Sequence, residues 1–145
     1  MKSPLRYPGG KSRAVKHILP HFPEDVTEVC SPFLGGGSVE LALAEKGVWV
    51  YGYDTFEPLI WFWRALLGNP DALAKEADSL RKHKDYYYGY RGLPKEDFNL
   101  IKEELRNEKE YSLQNAAKFY ALNRSSFSGA TLSGGWSKRA SYERF

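Results

Sequence analysis

The sequence predicts an α/β chain, and three observations carry that prediction. A β-rich run, Val26 to Ser31, is followed by the glycine turn Gly35-Gly36-Gly37, and a second β-rich run, Val48 to Tyr53, ends beside Asp54. Between turn and second run, Ser38 to Lys46 holds no helix breaker, and Gly47 is placed as a C-cap. Strand, glycine turn, helix and strand make a βαβ unit of about 30 residues, the crossover that a parallel pair requires. At 145 residues the chain suits one domain, and 42% hydrophobic content excludes disorder. No run reaches the roughly 18 apolar residues of a membrane span; Leu59 to Leu67 is broken by Arg64 and stopped by Gly68. Met1 to Gly10 lacks the apolar stretch of a signal peptide. Cys30 is the sole cysteine, which excludes an internal disulfide and leaves it a strand residue expected in the core. A cytoplasmic protein is expected.

The elements follow in order. Met1 to Ser12 reads as an irregular arm with a Pro-Gly-Gly turn, and Lys11 to Leu19 as a short helix stopped by Pro20 and Pro23. After the βαβ unit the chain turns helical. Leu59 to Leu67 is largely apolar and expected to be buried, and its Trp61 and Trp63 suit the core more than a platform for stacking on a base. Asp71 to His83 continues the helical pattern, and Asp85 to Gly92 is an aromatic loop. Its Tyr86, Tyr87, Tyr88 and Tyr90 suit either packing between helices or stacking on bases. Pro94 opens a helix with Phe98, Ile101 and Leu105 as its stripe. Ser112 caps another, striped by Leu113, Ala116, Ala117 and Tyr120. Beyond Arg124 the composition shifts to Ser and Gly, and Ser133-Gly134-Gly135 predicts a hairpin turn. His17, His21 and His83 have no acid or Cys at ligand spacing, so surface or helix roles are expected.

Charge is unevenly spread. Residues 1–25 carry five Lys/Arg against two acids, 26–110 eleven against fifteen, and 111–145 five against one. Two basic ends around an acidic middle suggest surfaces that meet an anionic partner. At the glycine turn, Gly35 and Gly37 fit the first two glycines of a nucleotide-binding turn, and Asp54 can accept hydrogen bonds from ribose hydroxyls. Glu40 stands where a dinucleotide fingerprint has Gly or Ala. It would disfavour close helix–strand packing there and would repel a pyrophosphate. A nucleoside without phosphates is the expected ligand, S-adenosylmethionine first among them.

Four motifs then carry a family resemblance: Pro8-Gly9-Gly10-Lys11, Ser31-Pro32-Phe33-Leu34-Gly35-Gly36-Gly37-Ser38-Val39, Tyr53-Asp54, and Tyr120-Ala121-Leu122-Asn123-Arg124 with Phe127-Ser128-Gly129. In this order the chain resembles the Dam-like DNA adenine-N6 methyltransferases. The resemblance implies a partial Rossmann-like, S-adenosylmethionine-dependent core with a mainly helical DNA-recognition insertion. On that basis residues 1–56 are the arm and cofactor-binding βαβ unit, and 57–145 the recognition segment ending in a hairpin. It further implies that Tyr7 and Lys11 pack on and hydrogen-bond the cofactor, that Phe33, Gly35 and Gly37 form its loop, and that Asp54 holds its ribose. The partner it implies is double-stranded DNA. Arg124 corresponds to a base-reading arginine, although an arginine near a helix C-terminus is also favoured by the dipole. Lys138, Arg139 and Arg144, in the expected hairpin, suit phosphate contacts.

The family's chemistry needs more. The lone pair of adenine N6 is delocalised into the ring, and an Asp-Pro-Pro-Tyr motif supplies acceptors for the amine protons and a ring to stack on the flipped base. No Asp or Asn here precedes Pro-Pro; the nearest string is Asn69-Pro70-Asp71-Ala72. No catalytic residue is therefore assigned, and the chain alone is expected to be inactive: the N-terminal half of a split or truncated enzyme or, alternatively, a non-catalytic subunit or decoy that binds S-adenosylmethionine and DNA. Without the strand that carries the motif, an open sheet edge and an uncovered apolar face are expected. Self-association or a second polypeptide would cover them.

Overall fold

The computed structural model describes residues 1–83 and 91–145, and the chain divides into two compact units, Met1–Thr55 and Phe56–Phe145. The tyrosines of residues 84–90 lie outside the described residues.

In the first unit the arm leads into α1 (Val15–Ile18) and a 3-10 turn, Leu19–His21. The expected helix from Lys11 is thus shorter: the chain passes Lys11 to Ala14 in turns, with Ala14 N–H donating to Lys11 O. β1 (Glu28–Ser31), α2 (Ser38–Glu45) and β2 (Trp49–Gly52) then form the βαβ unit. The strands are parallel, with Glu28 opposite Trp49 and Ser31 opposite Gly52. Backbone bonding runs past the strand ends, Tyr53 N–H to Ser31 O and Leu34 N–H to Tyr53 O, both at 2.8 Å. That extension brings the start of the glycine turn beside Asp54. The α/β expectation holds as this parallel unit; among the described residues the sheet has two strands, not the wide sheet of a full Rossmann-like core.

Side chains alternate between the faces of a strand. Val29 and Val50 are half-buried on one face, whereas Glu28, Cys30, Trp49 and Tyr51 are exposed on the other. Cys30 is therefore not a core residue. It pairs with Tyr51 on the face that is left open.

In the second unit, α6 (Leu113–Ser125) packs against α3 (Glu57–Gly68), α4 (Pro70–Ser79), α5 (Lys95–Asn107) and α7 (Lys138–Arg144). Its small residues, Ala116, Ala117 and Ala121, are fully buried and let neighbouring helices approach, while Phe119 and Leu122 fill the space between. Phe62 stacks on Tyr120 with centroids 5.5 Å apart, and Phe119 meets Phe56 edge-on at 5.8 Å. Trp61 and Trp63 are buried, as expected. Ser112 caps α6 by accepting Asn115 N–H, and Pro94 precedes α5, whose Phe98, Ile101 and Leu105 are buried.

Two expectations are corrected here. The helix expected to reach His83 ends at Ser79, and β3 (Lys82–His83) pairs antiparallel with β4 (Arg91–Gly92). Asp78 accepts from both Arg81 and Arg91, which ties the two sides of the connection together. The terminal hairpin is also absent. A single antiparallel bridge joins Ser126 to Trp136 across two 3-10 turns, Phe127–Gly129 and Thr131–Ser133, and α7 follows. Ser137 Oγ caps that helix by accepting Ala140 N–H, Arg139 pairs with Glu143 one turn on, and Ala140 and Ser141 are buried. Lys138, Arg139 and Arg144 are thus helical residues.

Candidate functional site

Three stretches distant in sequence meet at the glycine turn. Gly35 and Gly37 have φ of +49° and +66°, a left-handed geometry that disfavours side chains. Gly35 N–H donates to Asp54 Oδ2 at 3.0 Å, which locks the turn to the acid at the end of β2. Tyr7, from the arm, lies across the same turn. A Cβ added at Gly35 would stand 3.2 Å from Tyr7 Cε1, and one at Gly36 only 2.9 Å from Tyr7 Cβ. The Tyr7 phenol is held above its ordinary pKa by burial first and by the negative charge of Asp54 second.

A cleft of about 260 Å³ opens beside this junction, lined by Tyr7, Lys11, Phe33 and Gly35 to Glu40 among others. Lys11 Nζ donates to Gly9 O at 2.7 Å, which draws the cation back toward the arm's own turn. Phe33 is 86% exposed, an aromatic ring presented outward. Glu40 accepts from Ser31 Oγ at 2.6 Å. It therefore ties α2 to the end of β1 rather than disturbing the packing there, a role that reading the glycine fingerprint alone missed; the signal was a hydroxyl nine residues before a carboxylate on the next element.

An S-adenosylmethionine ligand fits this donor set. The glycine turn offers backbone rather than bulk, Asp54 a carboxylate for ribose hydroxyls, Lys11 a cation for a carboxylate, and Phe33 an exposed ring. Asn69-Pro70, by contrast, is structural: Asn69 Oδ1 accepts Ala72 N–H and caps α4.

The residues expected to meet DNA lie in the second unit and do not converge. Arg124 Nε and Nη2 donate to Arg144 O at 2.9 and 2.6 Å, at the C-terminal end of α7. Lys138 and Arg139 are exposed at its N-terminal end, roughly 9 Å away by the helical rise. What sequence reading missed between them is a buried polar network. Asn123 Nδ2 donates to Gly129 O, and Ser126 Oγ accepts Thr131 N–H and donates to Asn123 O. It fixes a loop in which Ser128 and Thr131 have φ of +54° and +47°, strained for any side chain and most of all for a β-branched one. In the sequence these hydroxyls read only as loop composition.

Among the described residues no helix is long and apolar enough to cross a membrane. The family model for D12 class N6 adenine-specific DNA methyltransferase matches residues 7–143 of the chain. No curated protein matches it.

Proposed function

Because the chain belongs to the D12 class of N6 adenine-specific DNA methyltransferases, we propose that it binds S-adenosylmethionine at the glycine turn and takes part in methylating adenine N6 in double-stranded DNA in the cytoplasm. The observation that carries this reading is the meeting of Tyr7, Gly35 and Asp54 at one junction. Asp54 would accept from the ribose hydroxyls, Lys11 would face the methionine carboxylate, and Phe33 would pack on the ligand. When bound, the cofactor supplies an electrophilic methyl group on a sulfonium centre. The remaining protein task is to hold an extruded adenine and accept its amine protons.

Residues 1–145 contain no Asp-Pro-Pro-Tyr for that task. A catalytic complement would supply the acceptors, and a second polypeptide or a second copy of the chain would cover the exposed Trp49 and Tyr51 of the sheet. Arg124 would read a base after release from Arg144 O, with Lys138 and Arg139 on phosphates.

Calorimetric titration with S-adenosylmethionine tests the cofactor reading: binding is expected, and Asp54→Ala should abolish it. Methyl transfer to DNA should be absent for these residues alone. Robust turnover by them would overturn the account of a missing complement, and wild-type protein that ignores the cofactor would overturn the binding site.

A further inference from the structure

The first unit holds a second, larger cleft, of about 490 Å³, between the arm, α1 and α2. Its lining includes four cations from three separate segments: Lys2 on the arm, Arg13 and Lys16 at α1, and Lys46 at the end of α2. None of the four side chains makes a hydrogen bond or ion pair with another described residue, and all are exposed. The one carboxylate in the lining, Glu45, receives the Met1 ammonium. Val15, Leu19 and Ala42 give the cleft apolar patches, and Ser12 and Ser38 add hydroxyls.

We propose that this cleft is a phosphate-backbone contact for DNA, adjoining the glycine-turn cleft at Ser38, which lines both. Here four cations from three segments share one rim with a single carboxylate that already receives the Met1 ammonium, which suits a strand that presents a charge every ~3.4 Å. Apolar patches between cations suit the sugar edges of such a strand. Contacts of this kind position the protein and carry no sequence information. The inference rests on the DNA-methylation reading.

The test is the salt dependence of binding to a short duplex of random sequence by the full chain. The triple variant Arg13→Gln/Lys16→Gln/Lys46→Gln should lower the slope of log affinity against log salt by about 0.9 for each phosphate no longer neutralised, hence by about 2 to 3. A charge-matched control, Lys75→Gln/Lys95→Gln/Lys109→Gln, removes three cations of the second unit. It should lower the slope by less than about 1. Equal reductions in the two triples, or no reduction in the first, would overturn the cleft as a DNA contact while leaving wild-type binding intact. Wild-type protein with no DNA affinity would instead sink the methylation reading itself. All six side chains are exposed, so melting temperatures that match wild type should accompany both triples.

Discussion

The two units differ in what holds them together. Among the described apolar residues of 1–55, only Leu5, Leu43 and Val48 are buried, and Trp49, Tyr51 and Tyr53 stand in solvent. Residues 56–145 close around α6, where Leu59, Phe62, Phe98, Leu105, Phe119 and Leu122 are almost fully buried. Yet the thin unit holds ligand-binding features: two clefts, the positive-φ Gly35 and Gly37 of the turn, and the Tyr7–Asp54 junction. A two-stranded parallel sheet is ordinarily covered on both faces, and this one has an exposed face. The comparison teaches that binding geometry here is encoded locally, by backbone bonds across the turn, and stability elsewhere, by side-chain volume.

The largest expected effect sets the two cores against each other. Phe119→Ala removes a ring wedged between Phe56 and Phe62 and should cost ~3–5 kcal/mol. Leu43→Ala, the deepest apolar truncation in the first unit, should cost about 2 kcal/mol, the low end for Leu, because a thinly walled site collapses or admits water. Urea unfolding followed by tryptophan fluorescence measures both. Equal costs would break the asymmetry.

A second effect concerns how the outer elements of the second unit are fastened. Ser141 Oγ accepts Leu93 N–H at 2.8 Å and donates to Leu93 O at 2.6 Å, with both residues out of solvent. Ser141→Ala leaves the buried Leu93 N–H without that partner, while Leu93 O keeps Trp136 Nε1–H, and should cost ~1–3 kcal/mol. Gly92 explains the closeness, since a Cβ there would stand 2.5 Å from Ser141 O. Smaller again is Ser112→Ala, which removes the α6 cap and should cost about 1 kcal/mol in the same unfolding experiment.

These residues also show which parts of the fold could be read in advance. The βαβ unit was legible because glycine, β-branched residues and a terminal acid each mark a backbone position. Helices α5 and α6 were legible from a buried stripe and a capping serine. α7 was not. Its seven residues offer barely two turns of periodicity, and the surrounding Ser and Gly resemble hairpin composition until Ser137 is seen as a cap. Alternation along β1 distinguishes two faces but not the covered one, so Cys30 was assigned to the wrong side. At the site, the arm was brought to the turn and acid only by the family resemblance, whereas the bond from Arg124 to Arg144 O depends on where α7 docks, which no local pattern records.

The smallest effect probes the thin unit at its functional junction. The Tyr7 phenol titrates above its ordinary value of 10.0, because burial disfavours the phenolate and the Asp54 carboxylate repels it. Folded protein thus keeps a proton that the unfolded chain releases near pH 10, so unfolding is linked to proton loss. The contribution to stability is fully present below that pH and is lost as pH rises through the higher folded value. Tyr7→Phe should flatten this alkaline fall in melting temperature, and Asp54→Asn should remove only the lesser, electrostatic share. Because Tyr7 is half-buried, the slope should be modest and confined to the unfolding of residues 1–55. Phenolate absorbance against pH gives an independent reading: the late-ionising amplitude of wild type should fall by one tyrosine in Tyr7→Phe. If Asp54→Asn shifted that late step more than partially, the charge of Asp54 rather than burial would dominate the shift.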